Sequence, residues 1–183
     1  MQTRDLVHIA LFAAIVAALG VMPPFMIPVI GVPITAQSMG PMLAGSILGA
    51  RKGALSLALF VLLVALGMPL LAGGRGGLAV LAGPGGGFIL GWIVAAYVVG
   101  FLCQRYWSRI DVWRFGLFSL IGGVLVLYPI GIVWISLVAG IGLAPAAAGV
   151  AVFLIGDAVK VVATALIAET VRRSYPVMAA ERG

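Results

Sequence analysis

Residues 115–140 read FGLFSLIGGVLVLYPIGIVWISLVAG, without one Asp, Glu, Lys or Arg. A helix that crosses the hydrocarbon core of a bilayer needs about 20 mostly apolar residues, so this stretch is long enough to span one. Working outward, hydropathy marks further spans at about 6–22, 25–50, 53–67, 87–103 and 145–171. The second of these begins as an irregular apolar approach and becomes helical near 38. The chain has 183 residues, 63% hydrophobic and 9% charged, whereas soluble domains carry about a quarter charged residues. The expected fold is therefore an all-α integral membrane protein, a single transmembrane domain over 1–183 with six transmembrane helices.

The charges supply a topology. If six helices are threaded, Arg4, Arg51, Lys52, Arg105, Arg109, Arg114, Arg172, Arg173 and Arg182 fall on one side and Arg75 alone on the other. By the positive-inside rule both termini are cytoplasmic, while the Pro-rich stretch 22–33 and the Gly-rich stretch 67–87 face outward. The net charge of +6 is thus read as membrane topology, with lipid and not nucleic acid as its partner. The N-terminal apolar run passes into Val21-Met-Pro-Pro24 instead of a polar mature sequence, so it is expected to be retained as a helix and not cleaved.

With one cysteine (Cys103) and one histidine (His8), the chain has no disulfide framework and no Cys/His metal cluster. Neither a P-loop nor a G-x-S-x-G elbow is present, so energy for uphill movement has to come from a partner or an ion gradient. No cofactor or metal is expected. His8 is expected to be interfacial. The tryptophans 92, 107, 113 and 134 and the tyrosines 97, 106, 128 and 175 are expected mainly in interface belts, with some free to line a pocket.

Three polar segments stand out from the apolar background. Asp157 and Lys160 lie about mid-span in the last hydrophobic segment, and their i, i+3 spacing puts both on one helical face. Each charge alone would cost at least ~2.5–3.5 kcal/mol at the bilayer centre. Paired and facing a cavity, they offer a ligand an acceptor and a donor; paired only with each other, they staple helices. The second segment is Gly73-Gly-Arg-Gly-Gly77 with Gly83-Pro-Gly-Gly-Gly87, whose glycines let backbone amides turn toward a ligand. There Arg75 is the outward cation that would draw in an anion. The third is Val32-Pro-Ile-Thr-Ala-Gln37, where Thr35 and Gln37 either place polar groups under an apolar lid or, with Ser38, cap the following helix. In the first helix Ala10, Ala14 and Ala18, with Ala13 and Ala17 beside them, form a flat small-residue face whose composition suggests internal helix packing.

Taken together and in order, Ala10-Leu-Phe-Ala-Ala14, Val32-Pro-Ile-Thr-Ala-Gln37, Gly73-Gly-Arg-Gly-Gly77, Gly83-Pro-Gly-Gly-Gly-Phe88 and Gly156-Asp-Ala-Val-Lys160 resemble the BioY family. Its members are the biotin-binding, substrate-specific (S) components of energy-coupling factor vitamin transporters. Two positions depart from the family pattern: Gly85 stands where threonine is usual, and Ala36 where leucine is common. The resemblance implies uptake of biotin without chemical change, energised by a transmembrane coupling protein and a pair of cytoplasmic ATPases. It implies a substrate site of Asp157, Lys160, Thr35, Gln37, Gly74, Arg75, Gly76, Gly83, Gly86 and Phe88, under a lid of Gly/Pro-rich outer loops. Asp157 would accept from the ureido N–H groups and Lys160 donate to the ureido carbonyl, with the carboxylate near the Gly-rich loop and Arg75; the reverse orientation is the alternative. Ala10, Ala14 and Ala18 acquire a second meaning as the face that docks the coupling protein.

Two other transport functions fit the same residues: a proton-coupled secondary carrier of a small anionic metabolite relaying through Asp157 and Lys160, and an S-component for another vitamin. An enzyme is not expected, because no nucleophile–base pair or metal set accompanies the pair.

Overall fold

The computed structural model describes residues 2–27, 31–175 and 177–178; Arg182 lies outside them. Helix α1 (Thr3–Leu19) leads into a short antiparallel hairpin, β1 (Phe25–Ile27) with β2 (Val32–Ile34), in which Phe25 faces Ile34. After a 3-10 turn at Ala36–Ser38 come α2 (Met39–Leu48) and α3 (Ala50–Ala65), then a glycine-rich excursion carrying α4 (Leu78–Ala82). Then follow α5 (Gly86–Arg105), α6 (Val112–Leu120), α7 (Leu127–Ala139), α8 (Leu143–Ala151) and α9 (Phe153–Ser174). Among the described residues, Gly86–Arg105 and Val112–Ala139 are long and apolar enough to cross a membrane. The pair α8 and α9 adds a third crossing if its halves, bent by 51°, are one span.

Three sequence expectations change in the structure. The apolar approach to the second span is the β-hairpin, so α2 has only 10 residues, or about 15 Å of helix. Segment 145–171 is not one straight helix but breaks at Val152. Segment 115–140 is continuous but widens into a π-helical turn at Ile121–Val126. That turn ends three residues before Pro129, which has no N–H for the Leu125 carbonyl and whose ring presses on it. A wider turn is the local remedy.

The interior is built where backbones can touch. A Cβ on Gly45 would lie 2.5 Å from the Ala96 carbonyl oxygen, and one on Gly100 would lie 2.3 Å from the Ala50 nitrogen. Only glycine admits α2, α5 and the start of α3 to this crossing. Around it Met42, Leu57, Phe60, Val64, Trp92, Ala95, Ala96 and Val99 are buried, with the Phe60 and Trp92 rings 6.0 Å apart. The outward faces are apolar as well: Leu137 is 76% exposed, Ile155 80% and Val159 69%. Such a surface suits lipid and not water.

Helix α1 buries Ile9, Phe12, Ala13 and Val16 and leaves Ala10, Leu11, Ala14 and Ala18 exposed. The Ala10/Ala14/Ala18 face is therefore not internal packing.

Charge is sorted between the two ends. At one end Arg4 donates to and stacks over Tyr175, Lys52 pairs with Asp5 at 2.7 Å, and Glu169 accepts from Arg172 and Arg173. Arg75 lies at the other end, on the loop beside Gly20 and Pro24. The Asp5 carboxyl is held below its ordinary value of 3.8, mainly by Lys52 and next by the Gln2 amide, which donates to it at 2.9 Å. Because the folded value is the lower one, the stability this contributes is complete above 3.8 and is lost as pH falls through the folded value. We expect the thermal midpoint of an Asp5→Asn variant in detergent to decline less than the parent's below about pH 4. Parallel curves would contradict this.

Candidate functional site

Helix α9 starts at Phe153, and its first turns aim Asp157 inward while Ile155 and Val159 face out. Asp157 is 4% exposed. Lys160 Nζ donates to Asp157 Oδ1 at 2.7 Å and to Ser38 Oγ at 2.8 Å. Tyr128, from α7, donates its hydroxyl to Asp157 Oδ2 at 2.8 Å. The single Ser38 hydroxyl hydrogen faces both the Thr35 carbonyl, 3.3 Å away, and Asp157 Oδ1, 3.4 Å away. Two residues of this network carried no such expectation from sequence. Tyr128 is not in an interface belt but buried, and Ser38 makes no helix cap. Periodicity offered no signal for either, because the contacts join residues 29 and 122 positions apart.

The network is partnered but not saturated. An ammonium has three hydrogens and Lys160 uses two; a carboxylate has about four acceptor positions, and Asp157 retains a free one. Around it lies an inner cavity walled by Val32, Pro33, Ile34, Phe88, Trp92, Leu127 and Phe153. Phe88 organises this wall, edge-on to Tyr128 at 6.2 Å and to Phe153 at 5.8 Å.

An outer cavity shares Val32, Pro33, Thr35, Phe88 and Trp92 with the inner one, and adds Gln37, Arg75, Val80, Gly83, Pro84 and Gly85. Arg75 closes a tight turn: its backbone exchanges hydrogen bonds with Leu71 at 3.0 and 3.1 Å, with Gly73 and Gly74 in the left-handed region between them. Its Nε donates to the Ala72 carbonyl at 3.0 Å, and the residue lines the outer cavity. The Gly83 carbonyl is pinned by the Trp134 indole N–H at 2.9 Å.

Of the residues expected in a substrate site, Asp157, Lys160, Thr35, Arg75, Gly83 and Phe88 thus line the joined cavities. Gln37 borders the outer one, with its amide committed to backbone. Gly74, Gly76 and Gly86 are not wall residues: Gly74 forms the turn, a Cβ on Gly76 would strike the Met68 carbonyl oxygen at 2.2 Å, and one on Gly86 the Leu81 carbonyl oxygen at 1.7 Å. Among the described residues no group of His, Cys, Asp and Glu is placed to hold a metal.

A helical membrane bundle with a closed polar pair under an apolar cavity is the architecture of a solute-binding transporter component. Of solved structures, the chain is similar to the crystal structure of the S-component for biotin from an ECF-type ABC transporter. The TM-score is 0.89 at 31% identity, covering 94% of this chain and 95% of that one. The chain is 48% identical to the biotin transporter BioY of Rhizobium etli, over 98% of this chain and 99% of that protein. It is 44% identical to the biotin transporter BioY of Rhodobacter capsulatus over the same shares. The BioY family model matches residues 1–177. The chain belongs to the BioY family; it is a transporter component of the cytoplasmic membrane, not an enzyme.

Proposed function

We propose that the chain binds biotin as the substrate-specific component of an energy-coupling factor transporter. The observation that carries the reading is the separation of two polar ends by an apolar slot. Asp157, Lys160, Ser38 and Tyr128 lie at the floor and Arg75 at the mouth, with Phe88 and Trp92 common to both cavities. Biotin matches that order, with a cyclic urea, a sulfur ring and aliphatic chain, and a terminal carboxylate. Asp157 accepts from the ureido N–H groups, the spare Lys160 hydrogen meets the ureido oxygen, and Arg75 meets the carboxylate. The hairpin β1–β2 and the loop 67–85 form the lid.

In this reading the chain is one transmembrane domain of six segments, with both termini cytoplasmic: α1, α2 with its approach, α3, α5, α6 joined to α7, and α8 joined to α9. The exposed Ala10, Ala14 and Ala18 dock the transmembrane coupling protein, which a pair of cytoplasmic ATPases drives. Small residues there let a partner helix approach closely. Family membership favours this reading over a proton-coupled carrier.

The test is equilibrium binding of labelled biotin to the purified chain in detergent, with unlabelled thiamine and riboflavin as competitors. Tight binding that neither competitor displaces supports the proposal; no binding by a monodisperse parent sinks it. In the same assay Tyr128→Phe is expected to bind about tenfold more weakly, since it deletes one hydrogen bond to a charged acceptor. Parental affinity would remove Tyr128 from the site.

A further inference from the structure

Gln37 is completely buried and its side-chain amide joins three elements. Its Nε2 donates to the Val16 carbonyl at 3.0 Å and to the Leu70 carbonyl at 2.9 Å, while its Oε1 accepts from the Ala72 amide at 2.8 Å. Val16 is in the last turn of α1, where helical carbonyls run out of helical donors. Leu70 and Ala72 flank the start of the turn that ends at Arg75. Ala72 is itself fully buried, and its carbonyl accepts from Arg75 Nε. A continuous path therefore runs from Gln37 through the two backbone polar groups of Ala72 to the guanidinium, and nothing in it touches the cavity floor. The fit is close: a Cβ on Gly20 would lie 2.6 Å from the Leu70 carbonyl oxygen and 2.7 Å from Gln37 Nε2.

We propose that Gln37 is a positioning residue: it fixes the 70–75 turn so that Arg75 stands over the cavity mouth, and so sets how strongly the site prefers an anionic ligand tail to a neutral one. The choice of ligand rests on the biotin reading; the mechanical part does not. Gln37 itself makes no contact with the carboxylate. Its amide supplies two donors and an acceptor to backbone groups of which those of Val16 and Ala72 are fully buried, and these would otherwise go unpaired. Without it the turn opens, and Arg75 no longer has a fixed place above the slot.

Two measurements on the full chain in detergent test this, using Gln37→Met, which keeps the length of the side chain and deletes its hydrogen bonds. In hydrogen exchange of the ligand-free protein, amides of residues 70–76 are expected to exchange at least about tenfold faster than in the parent, with α5 unchanged. Unchanged exchange at 70–76 overturns the proposal whatever the ligand is. In binding, the ratio of the Kd for biotin amide to that for biotin is expected to be about ten or more in the parent and near one in Arg75→Gln. Gln37→Met should fall within about threefold of Arg75→Gln while its Kd for the amide stays near the parent's, and the double variant should lose nothing more.

A parental ratio in Gln37→Met overturns the positioning role. A parent that binds biotin and its amide equally overturns Arg75 as the anion subsite, and this proposal with it. A parent that binds neither sinks the biotin reading instead, and the exchange result still decides whether Gln37 holds the turn. If Gln37→Met does not fold, Gly20→Ala presses on the same joint with Gln37 intact and is expected to give the same exchange signature; unaltered exchange there counts against the proposal equally.

Discussion

Asp157→Asn binds biotin on the order of 10²-fold more weakly than the parent in an equilibrium assay of folded protein. The substitution is nearly isosteric but removes the charge that Lys160 Nζ meets at 2.7 Å and turns one acceptor oxygen into a donor facing the Tyr128 hydroxyl. Removing one member of a buried charged pair costs about 3–5 kcal/mol. Some of that loss falls on stability, because the ammonium is left in an apolar wall. The remainder, about 2.7 kcal/mol for a hundredfold change, is lost binding. Lys160→Met should give a comparable loss, and the double variant much less than the product of the two, since the first substitution already breaks the pair. Parental affinity in both folded single variants would make the pair structural and move the ureido end elsewhere.

The second large effect is on assembly of the bundle. Gly100→Val places a side chain where a Cβ alone would be 2.3 Å from the Ala50 nitrogen and the Gly49 carbon and 2.7 Å from the Ala50 Cα. All three are backbone atoms, so no side chain can swing aside. Helix α5 has to separate from the junction of α2 and α3, which also carries the hydrogen bond from the Ala50 amide to the Gln104 Oε1 at 3.2 Å. Overpacking of this kind costs several kcal/mol, which corresponds to a drop of about 10 °C in thermal midpoint or more. Size-exclusion elution as aggregate, or a midpoint lowered by that amount, is the expected outcome. A variant with the parent's midpoint would show that the α2–α5 crossing is loose.

The membrane class was legible because charge is so scarce: a run such as 115–140 has few readings once about 20 apolar residues suffice to cross a bilayer. The pairing of Asp157 with Lys160 was equally legible, since i, i+3 spacing fixes neighbours on a helix whatever surrounds them. What sequence could not supply depends on contacts across the chain. Tyr128 looks like any interfacial tyrosine until α7 is laid beside α9. Ser38 looks like a cap until Lys160, 122 positions away, takes its oxygen. The break at Val152 has no proline or glycine at the bend to announce it, whereas the π-helical turn does have a local cause in Pro129. Gly74, Gly76 and Gly86 read as amide donors for a ligand, and the structure adds a packing reason for each that composition does not announce: the first shapes a turn and the others make room for neighbouring carbonyls.

The floor of the cavity has a consequence for selectivity. Lys160, Asp157, Ser38 and Tyr128 bond one another, so an occupant has to match or exchange bonds that the protein makes with itself. In the proposed pose, a molecule with the right apolar body but no urea gains the wall contacts and leaves that network as it was, whereas one that wedges in an unmatched polar group breaks bonds without replacing them. The floor thus penalises an occupant whose polar groups do not match it, while adding little to the hold on one whose groups do.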